Sequence, residues 1–199
     1  MNIQNTPNGI FLTNKTLSEL DVFVRDFLNV LKAYADYVIV SGYVTILFGR
    51  ARGTEDIDII IDRIDRRTSE RFFNDLIERN YWFLNSDDHN DLFGMLNENL
   101  AIRIAKSGEI IPNIELKFAK DYFDNFSLRN SLKVEIDGYG LNISPIELQI
   151  AYKVYLSGDK DIEDAIYLYE IFKERINRET LKNFLEMFEM DADSYGIEI

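Results

Sequence analysis

Apolar residues recur along this chain with two different periods, and the alternation between them sets out the elements. From Thr16 to Tyr34, the residues Leu20, Phe23, Val24, Phe27, Leu28 and Leu31 return at helical spacing. Thr16 and Glu19 read as a capping box at the start of that helix. Tyr37-Val-Ile-Val40 is a short run rich in β-branched residues and predicts a buried strand, stopping at Ser41-Gly42. A brief helix over 44–48 follows and closes at Gly49. Further strands are predicted over 57–61, 81–84, 101–105 and 114–118, with helices over 69–79 and 88–97. Lys133 to Ile136 and Gly140 to Ile143 read as a hairpin around Asp137-Gly138. The remainder is helical, from Pro145 in a first-turn position after a Ser144 cap, over 146–156, 161–176 and 179–187.

This order predicts an α+β (α/β) fold, a mixed β-sheet flanked by helices. Residues 1–144 form the core with its N-terminal helix. Residues 145–199 form a C-terminal helical portion packed on that core as part of a single compact unit. No repeat, low-complexity stretch or Gly/Ser-rich linker divides the 199 residues.

Composition narrows the chemistry. Without cysteine, disulfides, thiolate zinc sites and cysteine nucleophiles are excluded, and the lone His89 excludes a histidine-rich metal cluster. The run Asp87-Asp-His-Asn-Asp91 matches no metal-loop spacing and reads as a polar helix start. No apolar run reaches membrane-span length, and the N-terminus lacks the pattern of a secretory signal, so a cytoplasmic location is expected. The net charge of −13 repels nucleic acid at long range and suits divalent cations better. A nucleic-acid partner requires a local basic patch, for which Arg50, Arg52, Arg103, Lys106 and Lys117 are the candidates if they cluster.

The informative stretch runs from Val40 to Ile61. Residues two apart on a strand share a face, so Asp56 and Asp58 project together while Ile57 and Ile59 point into packing. Two carboxylates on an otherwise apolar strand repel each other and are costly to desolvate, a cost that a divalent cation removes. Hard oxygen ligands suit magnesium or manganese. Glu115, the acid within Ile114-Glu-Leu-Lys-Phe118, is the candidate third ligand if its strand neighbours the first. The competing role for Glu115 is a pair with Lys117 or Arg103 across the sheet. Ser41 and Gly42 open the short helix, and backbone N–H groups there offer a phosphate cradle.

This stretch resembles the nucleotidyltransferase superfamily with its polymerase-β-like core: a small-residue turn, a short helix, an Arg/Thr segment and an Asp-x-Asp strand. Here these are Ser41-Gly42, Gly49-Arg-Ala-Arg-Gly-Thr54 and Asp56-Ile-Asp58. The resemblance is greatest to compact bacterial and archaeal members, which include abortive-infection and toxin–antitoxin nucleotidyltransferases. It extends to Lys153 and the element Lys160-Asp-Ile-Glu-Asp164. The turn departs from the family's Gly-Gly or Gly-Ser order, and the third acid is Glu where Asp is commoner.

The resemblance implies transfer of a nucleoside monophosphate from a nucleoside triphosphate to an acceptor hydroxyl on tRNA, protein or a small molecule. Asp56, Asp58 and Glu115 would be the catalytic metal ligands, for magnesium or manganese. Ser41 and Gly42 would hold phosphates, Arg52 and Thr54 would shape the pocket rim, and Lys153 would contact the triphosphate. A cognate antitoxin is a possible partner by the same resemblance. The alternatives are a nucleotide-binding module without transfer and an antitoxin-like interaction protein.

Overall fold

The computed structural model describes residues 1–6 and 9–198. The strands are β1 (Asn2–Thr6), β2 (Gly9–Thr13), β3 (Tyr37–Ile39), β4 (Asp56–Ile61), β5 (Tyr81–Phe83), β6 (Ile102–Lys106), β7 (Asn113–Phe118), β8 (Leu132–Ile136) and β9 (Tyr139–Ile143). The helices are α1 (Glu19–Leu31), α2 (Gly42–Leu47), α3 (Arg66–Glu78), α4 (His89–Asn97), α5 (Tyr122–Arg129), α6 (Ile146–Leu156), α7 (Asp159–Phe172) and α8 (Arg178–Met187).

All strands join one mixed sheet in the order β1-β2-β8-β9-β3-β4-β7-β6-β5. The centre of this sheet carries the candidate site residues. β4 runs antiparallel to β3 and parallel to β7, in a register that sets Asp56 beside Asn113, Asp58 beside Glu115 and Ile60 beside Lys117. Because side chains alternate, Ile57, Ile59, Ile61, Ile114 and Leu116 share the other face, where all are sealed from solvent. The main apolar core lies on that face, where Phe27 of α1 meets Phe72 of α3 edge-on and Phe73 meets Phe83 of β5. On the carboxylate face, a small cluster of Val38, Ile60 and Ala119 packs with Val40 and with Leu128 of α5. Helix α5 therefore covers the Ile60 end of that face, and Asp56 and Asp58 lie beyond it, partly accessible.

Several local expectations are corrected. The first helix is capped by Ser18 and Asp21, which form the reciprocal box, and not by Thr16 and Glu19. Asp21 also accepts hydrogen bonds from the Lys15 ammonium at 2.6 Å and the Tyr43 hydroxyl at 2.8 Å, so this cap anchors α2 to α1. Ser144 does not cap α6. Its hydroxyl pairs with that of Ser127 at 3.0 Å, and Pro145 takes the cap position without a side-chain bond. The β1–β2 hairpin and α5 were not anticipated. The Asp88–Asn97 segment is a helix start as expected, with Asp88 accepting the Asn90 N–H at 2.8 Å. Among the described residues, no helix is long and apolar enough to cross a membrane.

Candidate active site

Asp56 and Asp58 project from β4 onto the face of the sheet that carries Glu115 of β7. Neighbouring strands lie about 5 Å apart, so Asp58 and Glu115 are lateral neighbours. Burial, then the charge of Asp56, then that of Glu115 push the Asp58 carboxyl up to about 6, against a hydrogen bond from the Ser41 hydroxyl and the charge of Lys117. A carboxylate destabilised by two others suits a hard divalent cation, which relieves desolvation and repulsion together. Glu115 is meanwhile turned to Arg103, whose Nε lies 3.1 Å from its Oε1. Among the described residues, no three acidic or histidine side chains are gathered closely enough to form a ready metal cage. Asp56 and Asp58 offer the hard oxygen donors that magnesium or manganese takes, while Glu115 is engaged by Arg103.

Ser41 follows β3 with φ 63° and ψ −141°, near a region otherwise kept for glycine. The family's small-residue turn is present, but its left-handed position carries the serine while Gly42 begins the helix. Gly42 is needed for a different reason: a Cβ there would meet the Arg52 guanidinium at 3.1 Å. The Thr54 hydroxyl donates to the Asp56 carbonyl at 2.9 Å and to its carboxylate at 3.3 Å, bracing the start of β4.

The sequence pointed to Lys153 as a phosphate contact, but the structure seals it away. It lies on α6, 1% exposed, and its ammonium is spent on Asp164 at 2.7 Å and Asp161 at 3.2 Å. Burial is the main cause holding that ammonium below its ordinary pKa. Asp164, named above only as the end of the Lys160–Asp164 element, is the residue whose weight the sequence did not reveal. It is fully buried, and besides Lys153 it binds Arg50, Arg52 and the Thr45 hydroxyl. Three cations converge on one carboxylate, which pins the segment between α2 and β4 onto α7 and fixes Arg52 beside the Ser41-Gly42 turn.

The candidate basic patch does not form. Arg50 and Arg52 face Asp164, Arg103 faces Glu115, and Lys117 stands 4.0 Å from Asp124. Lys106 points to the opposite face, over the Tyr81 ring.

No family model matches the chain, and no curated protein matches it. Solved structures do. An antigenic nucleotidyltransferase-like protein from Paracoccidioides brasiliensis superposes with a TM-score of 0.55 at 16% identity, covering 87% of this chain and 89% of that one. The antibiotic-resistance factor ANT(2'')-Ia in complex with adenylyl-2''-tobramycin gives 0.54 at 14% identity, covering 86% and 98%. A solution structure of ANT(2'')-Ia gives 0.52 at 13%, covering 88% and 92%. The chain thus shares its overall fold with these proteins over 86–88% of its length.

Proposed function

We propose that the chain is a magnesium-dependent nucleotidyltransferase, and that Asp56, Asp58 and Glu115 hold the cation. The observation that carries this reading is Asp58, half-buried beside two further carboxylates and close to the residue that opens the candidate phosphate turn. In the reaction, an acceptor hydroxyl oxygen bonds to the α-phosphorus as its proton passes to solvent water. The bond to the β-phosphate breaks, and pyrophosphate leaves. Bound magnesium would supply charge neutralisation on the phosphate oxygens. The chain's own groups orient the triphosphate: the Ser41-Gly42 turn offers backbone N–H groups, and Arg52 stands beside it with its fork held by Asp164. Fold relatives that include a protein bound to an adenylylated compound support the same class of transfer. The engagement of Arg50, Arg52, Arg103 and Lys117 by acidic partners favours a small hydroxyl-bearing acceptor over tRNA.

A second reading, nucleotide binding without transfer, is favoured by the Arg103–Glu115 pair, which occupies the third ligand. Calorimetric titration with each of the four triphosphates, with and without magnesium, tests the first reading on the parent and on Asp58→Ala. Magnesium-dependent binding that vanishes in the variant is expected. Binding that is indifferent to both removes the metal-site reading. Binding without pyrophosphate release in the presence of hydroxyl acceptors leaves the second.

A further inference from the structure

The carboxylate face of the sheet also carries a cavity of about 70 Å³, roofed by α5 and α6. Val40, Ile60 and Leu148 give it an apolar floor, and Phe123 and Tyr152 give it aromatic sides. Most of its polar groups are already satisfied. The Ser127 and Ser144 hydroxyls bond each other, Lys117 faces Asp124, and Asp124 accepts the Lys120 N–H at 3.2 Å. Gln149 differs. It is 4% exposed, it lines the cavity, and its carboxamide has no hydrogen-bond partner among the described residues. Its amide atoms are open to the cavity, since among the described residues only the Tyr81 hydroxyl is a sealed side-chain polar atom without a partner. A carboxamide presents a donor and an acceptor side by side, the complement of a nucleobase edge that shows the same pair.

The cavity adjoins the carboxylates. Ser41 lines it, and its hydroxyl lies close enough to Asp58 to lower that carboxyl's pKa. Tyr152 stands 42% exposed, and its phenol is pushed up first by burial, then by Asp124 and Asp121, with Tyr155 and Asp58 also contributing.

We propose that this cavity receives the nucleobase of the triphosphate and that Gln149 reads its hydrogen-bonding edge, which makes Gln149 the residue that selects among nucleotides. The assignment rests on the nucleotidyltransferase reading and adds to it the means of base choice. Flat aromatic sides and one unspent amide suit a planar heterocycle with an adjacent donor and acceptor.

The test measures magnesium-dependent binding of the four nucleoside triphosphates and of inorganic tripolyphosphate to the parent, Gln149→Leu and Gln149→Glu. Thermal melting first establishes that each variant is folded. The parent is expected to prefer one base by about tenfold or more, the scale of a lost polar pair. Gln149→Leu is expected to bring the four triphosphates close together while leaving tripolyphosphate binding as it was. Gln149→Glu, which keeps an acceptor and loses the donor, is expected to reorder the preference. A Gln149→Leu variant that keeps the parent's order overturns the assignment, as does a parent that binds all four and tripolyphosphate alike. A variant that changes only the KM of a hydroxyl acceptor overturns it too, and hands the cavity to that acceptor. If tripolyphosphate does not bind with magnesium, the broader reading falls, and this assignment with it.

Discussion

The Arg52 guanidinium lies so close to Gly42 that a methyl group added to that glycine would meet it at 3.1 Å. Arg52 has little freedom to retreat, because Asp164 holds its other side. The first helical residue of α2 and the arginine beside it are therefore one steric unit. In Gly42→Ala, alanine gains up to about 1 kcal/mol of helix propensity, offset by the push on Arg52. Melting is expected to change by only a few degrees, while magnesium-triphosphate affinity falls by about tenfold. Unchanged affinity in calorimetry would show that Arg52 does not serve the phosphates.

Ser41 offers a clean comparison of strain with chemistry. Ser41→Ala loses the hydroxyl and keeps the unfavourable backbone, whereas Ser41→Gly loses the hydroxyl and relieves it. The difference in stability between the two variants isolates the backbone cost, expected at about 1–2 kcal/mol in favour of glycine. Equal denaturation midpoints would mean that position 41 relaxes without glycine.

Asp58 makes the stability of the protein depend on pH. Its folded value of about 6 exceeds the ordinary 3.8, so the native state keeps the proton longer than the unfolded chain does. Stability tied to that proton is complete below about pH 4, is lost as the pH rises through about 6, and stays lost above it, a cost of about 3 kcal/mol. Asp58→Asn is expected to melt several degrees higher than the parent at pH 7.5 without magnesium and to match it near pH 4. Magnesium is expected to raise the melting temperature of the parent alone. A variant that melts lower at both pH values contradicts this account.

Asp164 and Lys153 are expected to be unequal partners. Asp164→Ala leaves a buried ammonium facing two guanidiniums, with only Asp161 still opposite it, and breaking such a network costs about 3–5 kcal/mol. Lys153→Met leaves Asp164 with Arg50, Arg52 and Thr45, so the loss is smaller. Chemical denaturation of the two variants ranks them, and a Lys153→Met loss equal to that of Asp164→Ala would mean that the arginines contribute nothing.

The sheet centre was readable from the chain because β4 and β7 are apolar runs with acids at one parity, and alternation alone aims Asp56, Asp58 and Glu115. The β1–β2 pair escaped notice because Ile3 stands alone among polar residues and Ile10-Phe-Leu12 is too short an apolar run to tell strand from helix. Helix α5 escaped because Tyr122, Phe123 and Phe126 are weak helix formers, stabilised by packing on α8 through Phe184 and Phe188. The Thr16–Glu19 box lost to Ser18–Asp21 two residues on, where Lys15 and Tyr43 also reach the acid. The Asp164 network was invisible for a plainer reason: Arg50 and Arg52 come from more than a hundred residues away, and sequence spacing carries no signal over that distance.

The mutual repulsion stored around Asp58 gives the fold an internal gauge. The repulsion among these acids works against the central strand pair, and a divalent cation bound between them would relieve it. The melting point of this chain would then rise and fall with the free divalent ion in its surroundings, so that a thermometer alone reports whether the site is loaded.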